Sequence, residues 1–382
     1  MEGIKMKELG IYVHIPFCKQ KCYYCDFVSY TSKETEKERY FKALQKEIET
    51  QKNEIDRVTT IYIGGGTPSM ANKEEIQKIL DMIKQNYIVE KEAEITIEVN
   101  PGTVDEAKLE AYKKAGINRL SIGLQSTKNE LLKKIGRIHT YEEFLTCYQL
   151  ARKVGFKNIN IDLMLGLPNQ TLRDIEESVE KIIKLNPEHI SFYSLIIEEN
   201  TPIEKMLEEK RIALPSEEIE RTMYWKAKKA LERSDYIHYE ISNFAKQGYN
   251  SKHNTNCWKQ KEYLGFGVSA HSYQNKKRYC NTSSIIEYCQ NNEEGKSQNN
   301  QVICEIQTEE ERRKEYMLLG LRMLEGIDVQ EFKHKFIQNP LYLFHQELEK
   351  LVKEELIEVD LNQIKLTNKG LDFANLVWEQ FI

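Results

Sequence analysis

Residues 9–27, LGIYVHIPFCKQKCYYCDF, begin as a β-branched apolar run and pass through Pro16 into three cysteines, Cys18, Cys22 and Cys25. A short apolar run of this composition reads as a buried strand. The C-x3-C-x2-C spacing then puts three thiols on one tight loop at the strand's end. Three thiolates can hold three irons of a cubane [4Fe–4S] cluster, which ordinarily takes four protein ligands. One iron is thereby left open to a small molecule. The competing chemistry is a structural zinc site with His14 as fourth ligand. Zinc ligands more often come as two C-x2-C knuckles far apart in sequence, so the compact loop favours the cluster.

Working outward, further β-branched runs at 58–63, 94–99, 119–124, 158–163 and 189–195 follow the first at 9–15. Between and after them, helical periodicity marks 33–52, 73–85, 104–115, 141–154, 172–184 and 216–234. Gly116 and Gly155 stand where helices would stop. The alternation predicts an α/β fold of parallel βα units, a partial (β/α)6 TIM-like barrel. Enzymes of that architecture carry their chemistry at the C-terminal ends of the strands. The cysteine loop follows the first strand and Gly64-Gly65-Gly66-Thr67-Pro68 the second, while Glu98-Val99-Asn100-Pro101 ends the third. Gln125 closes the fourth, Asp162 lies near the end of the fifth and Tyr193 lies on the sixth. The glycine run lets backbone approach a ligand without Cβ interference, and Pro68 stiffens the turn.

The 382 residues suffice for one large domain and one or two smaller ones. The expected division is 1–235 for the barrel, 236–289 for an aromatic- and His-rich segment, 290–301 (QNNEEGKSQNNQ) for a linker, and 302–382 for a mainly helical domain. In the last part, helical patterns at 308–325, 329–336 and 342–354 precede a hairpin around 360–362 and a terminal helix from 368. That order is winged-helix-like. Glu347, Glu349, Glu354, Glu355 and Glu358 argue against DNA as its partner. A net charge of −5 gives no reason to expect nucleic acid or an anionic membrane. No run approaches the ~18 apolar residues that span a bilayer, and the first 17 residues are too polar for a signal peptide. Eight cysteines without an export signal imply a reducing compartment, so the protein is expected in the cytoplasm. Cys147, Cys280, Cys289 and Cys304 lack metal-like spacing and are expected to be incidental.

YVHIPFCKQKCYYCDF (12–27), IYIGGGTPS (61–69), IEVNP (97–101), GINRLSIGLQS (116–126), Gly136-Arg137 and NIDLMLGLPNQT (160–171) together resemble one family. It is the oxygen-independent coproporphyrinogen III dehydrogenase family of radical S-adenosylmethionine (SAM) proteins. YEISNFAKQGYNSKHNTNCW (239–258), YLGFGVSAHSY (263–273), LGLRMLEGI (319–327) and LTNKGLDFANLVWEQF (366–381) look like its haem-chaperone branch. The resemblance runs from about residue 9 to 382. It implies a [4Fe–4S] cluster on Cys18, Cys22 and Cys25, with the amino and carboxylate groups of SAM on the open iron. Gly65, Gly66 and Thr67 would approach the methionyl amino group. Glu98, Gln125 or Asp162 would accept from the ribose hydroxyls, and the planar cation of Arg137 suits the carboxylate. Tyr24 would pack against adenine, and Tyr12, six residues before Cys18, matches a tyrosine near the catalytic site.

The chaperone branch carries an H-N-x-x-Y-W motif tied to haem. Here it reads His253-Asn254-Thr255-Asn256-Cys257-Trp258, with cysteine where tyrosine is usual. His253 is the expected axial haem ligand; Cys257 and His271 are further candidates. Two departures separate the chain from the dehydrogenase branch. Cys25 is followed by Asp26-Phe27 instead of a fourth cysteine in C-x-C, and only about ten residues precede the first strand. The resemblance therefore implies a haem-binding chaperone that passes haem to an acceptor protein, with a small electron donor for the cluster. The second expectation is an enzyme that oxidatively decarboxylates the propionates of coproporphyrinogen III to vinyls. A third is a zinc-stabilised barrel without redox chemistry.

Overall fold

Six parallel strands occupy the middle of one sheet in chain order: β1 (Glu8–Ile15), β2 (Asn53–Gly65), β3 (Tyr87–Val99), β4 (Arg119–Gln125), β5 (Ile159–Leu165) and β6 (His189–Ser194). The computed structural model describes residues 7–31 and 33–382. Helices α1 (Glu34–Thr50), α2 (Lys73–Asn86), α3 (Glu106–Ala115), α4 (Asn129–Lys134), α5 (Tyr141–Val154), α6 (Leu172–Leu185), α7 (Pro202–Glu208) and α8 (Glu217–Glu232) intervene or follow. Alternate residues of β1, Leu9, Ile11, Val13 and Ile15, are buried in one core with Tyr40, Phe41, Leu44 and Ile48 of α1. Helix starts are fixed by capping boxes, as in Thr140–Glu143 and Thr171–Asp174. Gly116 and Gly155 end α3 and α5 in the left-handed conformation, at φ 101° and 93°.

The sheet does not close. Beyond β6 lie β8 (Asn243–Ala245) and β7 (Ile237–Glu240); beyond β1 lie β9 (Tyr263–Phe266), β10 (His271–Gln274), β11 (Lys277–Asn281) and the edge strand β12 (Gln301–Ile306). Residues 236–289 thus extend both edges of the barrel sheet and also supply α9 (Lys252–Trp258) and α10 (Ile285–Glu293). Buried Glu47 of α1 ties this segment down, accepting from Gly267 N at 2.8 Å, Asn281 Nδ2 at 2.6 Å and Tyr288 Oη at 2.6 Å. The polar stretch 290–301 is a packed connection. Asn292 and Asn300 are buried, Ser297 Oγ donates to Asn292 Oδ1 at 2.6 Å, and Asn291 Nδ2 donates to Asn300 Oδ1 at 2.9 Å. The polarity of this expected linker serves internal hydrogen bonds.

The C-terminal part comprises α11 (Glu309–Gly320), β13 (Ile327–Asp328), α12 (Val329–Phe336), α13 (Pro340–Leu343), α14 (His345–Lys353), β14 (Ile357–Val359), β15 (Gln363–Leu366), α15 (Asn368–Asp372) and α16 (Ala374–Trp378). Its small sheet has the order β13-β15-β14, and it has its own core around Phe332, Phe344, Leu348 and Ile364. The helices and small sheet agree with the winged-helix-like reading. Among the described residues no helix is long and apolar enough to cross a membrane.

Candidate active site

The C-terminal ends of β1–β5, with Tyr193 of β6, surround a cavity of about 160 Å³. Its wall brings together Cys18, Cys22, Cys25, Tyr24, Gly65, Gly66, Thr67, Glu98, Gln125, Arg137 and Asp162. Eleven candidates from six segments of the chain therefore share one space.

The cysteine loop is held by backbone bonds at both ends. Cys18 N donates to Tyr30 O at 3.0 Å, Tyr23 N to Ile135 O at 3.0 Å, and Cys25 N to Cys22 O at 3.2 Å. Its three thiols are free and half-buried. Burial raises the Cys18 and Cys25 thiols, Cys25 to about 11, so they need a bound cation to become thiolates at neutral pH. His14 is not directed at them. Its Nε2 bonds Val28 O at 2.9 Å and its Nδ1 bonds the Tyr12 hydroxyl at 3.0 Å. Both ring nitrogens being engaged removes the fourth ligand of the zinc alternative.

Beside the thiols lies a polar wall. Arg137 Nη2 donates to Asn100 Oδ1 at 2.8 Å and to Gly123 O, and its Nη1 reaches Cys22 Sγ at 3.7 Å. Its Nε is buried without a partner, so this guanidinium retains unused donor capacity beside the cavity. Tyr62 Oη donates to Glu98 Oε1 at 2.9 Å and Gly65 N donates to Oε2 at 3.1 Å. Burial pushes the Glu98 carboxyl up to about 7, with the Asp162 charge adding to it. Burial also raises Asp162, against hydrogen bonds from Asn160 and Ser191. Gln125 adopts a left-handed φ of 68°, and Tyr193 Oη donates to its Oε1 at 3.0 Å.

Glycines open the floor. A Cβ on Gly66 would meet Cys18 Sγ at 3.0 Å, and one on Gly123 would meet Arg137 Nη2 at 2.9 Å. The donor set fits a cluster beside SAM: three soft thiols, an arginine with an unused donor, buried carboxylates and half-buried glycine backbone in one cavity. Sequence reasoning did not assign Asn100, Gly123 or Tyr193 a role. Asn100 stood in the IEVNP motif and Gly123 was a small residue inside a strand, a mark of close approach.

Tyr12 and His253 lie outside the cavity wall. Tyr12 is packed behind it, its ring 6.3 Å from Tyr62 in a stacked pair. His253, in the first turn of α9, is buried, bonds Thr60 Oγ1 through Nδ1 at 3.0 Å, and also stacks with Tyr62, ring centroids 5.2 Å apart. Burial, with the Arg119 charge, pushes its imidazole down to about 4. Cys257 is half-buried further along α9.

The chain matches the radical SAM superfamily over residues 12–182 and the HemN C-terminal domain over residues 307–373. It is 37% identical over 374 residues to heme chaperone HemW of Bacillus subtilis, covering 97% of this chain and 98% of the relative. The Haemophilus influenzae protein of the same name is 33% identical over 387 aligned positions, 99% of each chain. Among solved structures, coproporphyrinogen III oxidase (HemN) from Escherichia coli, a radical SAM enzyme, superposes with a TM-score of 0.84 at 25% identity. That match covers 98% of this chain and 90% of that one.

Proposed function

We propose, for a chain that belongs to the HemW family of radical-SAM proteins, that it is a haem chaperone. It binds haem, holds a [4Fe–4S] cluster and SAM, and passes haem to an acceptor protein. The observation that carries this reading is full-length likeness to proteins named heme chaperone HemW, at 33–37% identity, above the 25% shared with HemN. Asp26-Phe27 after Cys25, in place of a further cysteine, points the same way.

In this reading Cys18, Cys22 and Cys25 hold the cluster, and the rest of the cavity takes SAM. When bound, the pair supplies one-electron reductive chemistry. Arg137, braced by Asn100 and Gly123, carries a fixed positive charge to the SAM carboxylate. Glu98, Gln125 and Asp162 offer acceptors to ribose hydroxyls, and Gly65, Gly66 and Thr67 leave backbone exposed to the methionyl end. Tyr24 walls the adenine side. Tyr12 acts as a positioning residue behind the cavity, through His14 and Tyr62.

Haem ligation by His253 requires α9 to lift, because its ring is buried and its Nδ1 engaged. Haem titration of wild type against His253→Ala tests the ligand: weaker binding supports it, and unchanged affinity removes it. Anaerobic reconstitution should give a reducible cluster whose EPR spectrum changes with SAM, and Cys22→Ser should abolish that signal while leaving the far-UV CD spectrum intact. A chain that takes up zinc tightly and forms no such cluster sinks the radical-SAM reading. The second reading, oxidative decarboxylation of coproporphyrinogen III, is favoured by the TM-score of 0.84 to HemN. Vinyl product formed with a competent reductant would put that reading first.

A further inference from the structure

Outside the cavity, His271, Cys280 and Cys304 bring one ring nitrogen and two sulfurs to within 4.8 Å of one another. Strand register produces this meeting. His271 of β10 stands opposite Cys280 of β11, and Cys280 stands opposite Val302 of β12. Cys304, two residues beyond Val302, falls on the same face. That face is the one carrying Tyr12, since Tyr12 pairs with Gly265 and Tyr263 pairs with Tyr273 across the intervening strands. The group therefore continues the inner surface of the barrel to its open edge. His271 begins β10 just after the turn from β9, at the sheet end from which the cysteine loop also leaves β1.

The two sulfurs are 3.5 Å apart. A disulfide would need ~2.0 Å, whereas a tetrahedral thiolate site with bonds of ~2.3 Å has an edge of ~3.8 Å. Two soft sulfurs and an imidazole suit a thiophilic d10 ion and disfavour the hard cations that seek oxygen. Among the described residues no further His, Cys, Asp or Glu offers an atom within that distance of all three. His271 and Cys304 are exposed and Cys280 is half-buried, so an ion can enter from solvent without unfolding.

We propose that His271, Cys280 and Cys304 form a Zn2+ site with three protein ligands and a fourth position open to water. The two thiols release their protons to solvent as the ion binds, and no electron is transferred. The site uses none of the residues assigned to the cluster or SAM, and it takes His271 out of the candidate haem ligands, leaving His253 and Cys257.

Anaerobic titration of the reduced full-length chain with Co2+ tests it, in a Cys18→Ser/Cys22→Ser/Cys25→Ser background that removes the thiols of the cluster loop. The expected result is a single equivalent of Co2+ with thiolate charge-transfer absorption, displaced by Zn2+. Adding Cys280→Ser and Cys304→Ser should abolish it, and His271→Ala should weaken it and change the visible ligand-field bands. Should the background variant fail to fold, the cluster-loaded wild type and its Cys280→Ser/Cys304→Ser variant are dialysed against Zn2+ and assayed for bound zinc. The variant is expected to hold one zinc fewer per chain. Equal metal content with and without Cys280 and Cys304, no binding to the reduced chain, or a Cys280–Cys304 disulfide persisting under thiol reductant overturns the proposal.

Discussion

Glu98 receives two hydrogen bonds and still has its carboxyl pushed up to about 7, because burial outweighs the bonds from Tyr62 and Gly65. A folded value above the ordinary 4.5 means that the native chain keeps a proton the unfolded chain has released. This contribution to stability is complete below pH 4.5 and is lost as pH rises through about 7. Glu98→Gln removes the titration, so urea unfolding of the metal-free protein should show the variant gaining on wild type across that window. A difference independent of pH would mean that Glu98 titrates normally. Gly65 makes a second residue-scale case. Its φ is 117°, and a Cβ there would come 2.7 Å from the His14 ring, whereas Gly102, at φ 79°, has nothing nearer than 3.8 Å. Gly102→Ala should cost only the left-handed strain, ~1–2 kcal/mol. Gly65→Ala should cost more by urea denaturation, and equal costs would mean that His14 yields freely.

At the scale of elements, the strands that carry the site were readable because each pairs a β-branched run with a motif at its C-terminal end. Arg119–Gln125 and His189–Ser194 lie within a residue of their expected bounds. The first residues of β2 and β3, Asn53 onward and Tyr87 onward, were not readable: they hold charged residues and become strand by pairing with each other and, at Arg57, with Glu8 of β1. The short helix α7 was missed for want of periodicity. Nor did sequence show what holds α9. Glu94 of β3 accepts from Lys252 N and His253 N, both at 3.1 Å, setting a carboxylate on the helix's first amides. Glu94→Gln should weaken this anchor by ~1 kcal/mol. If haem reaches His253 by the lifting of α9, this variant should bind haem faster in stopped-flow mixing while His253→Ala binds it poorly. Association rates unchanged in both would move haem binding away from α9.

Over the whole molecule, the sequence pattern ends where the barrel's repeating units end. Edge strands β7–β12 are short, and their places depend on pairings between residues far apart in the chain, as with Cys280 and Cys304, whose meeting no spacing rule foretells. The same holds where the barrel meets the C-terminal part. Ile241 N donates to Arg322 O at 3.1 Å and Leu324 N to Tyr239 O at 3.0 Å, so backbone joins the two bodies. Arg322 then lies over Trp258 of α9 at 4.4 Å and Trp378 of α16 at 5.0 Å, with Nη2 3.1 Å from Glu240 Oε1. The Glu240 side chain is only 1% exposed, and its carboxylate, paired with Arg322, also accepts from Asn243 Nδ2. Removing one partner of such a pair leaves an uncompensated buried charge, at a cost of ~3–5 kcal/mol. Arg322→Met should therefore destabilise strongly in urea unfolding, and Glu240→Gln in the same chain should restore much of the loss. The double-mutant cycle isolates that coupling from the tryptophan contacts, which Arg322→Met alters alike in both backgrounds. A coupling near zero would mean that the junction rests on backbone and aromatic packing.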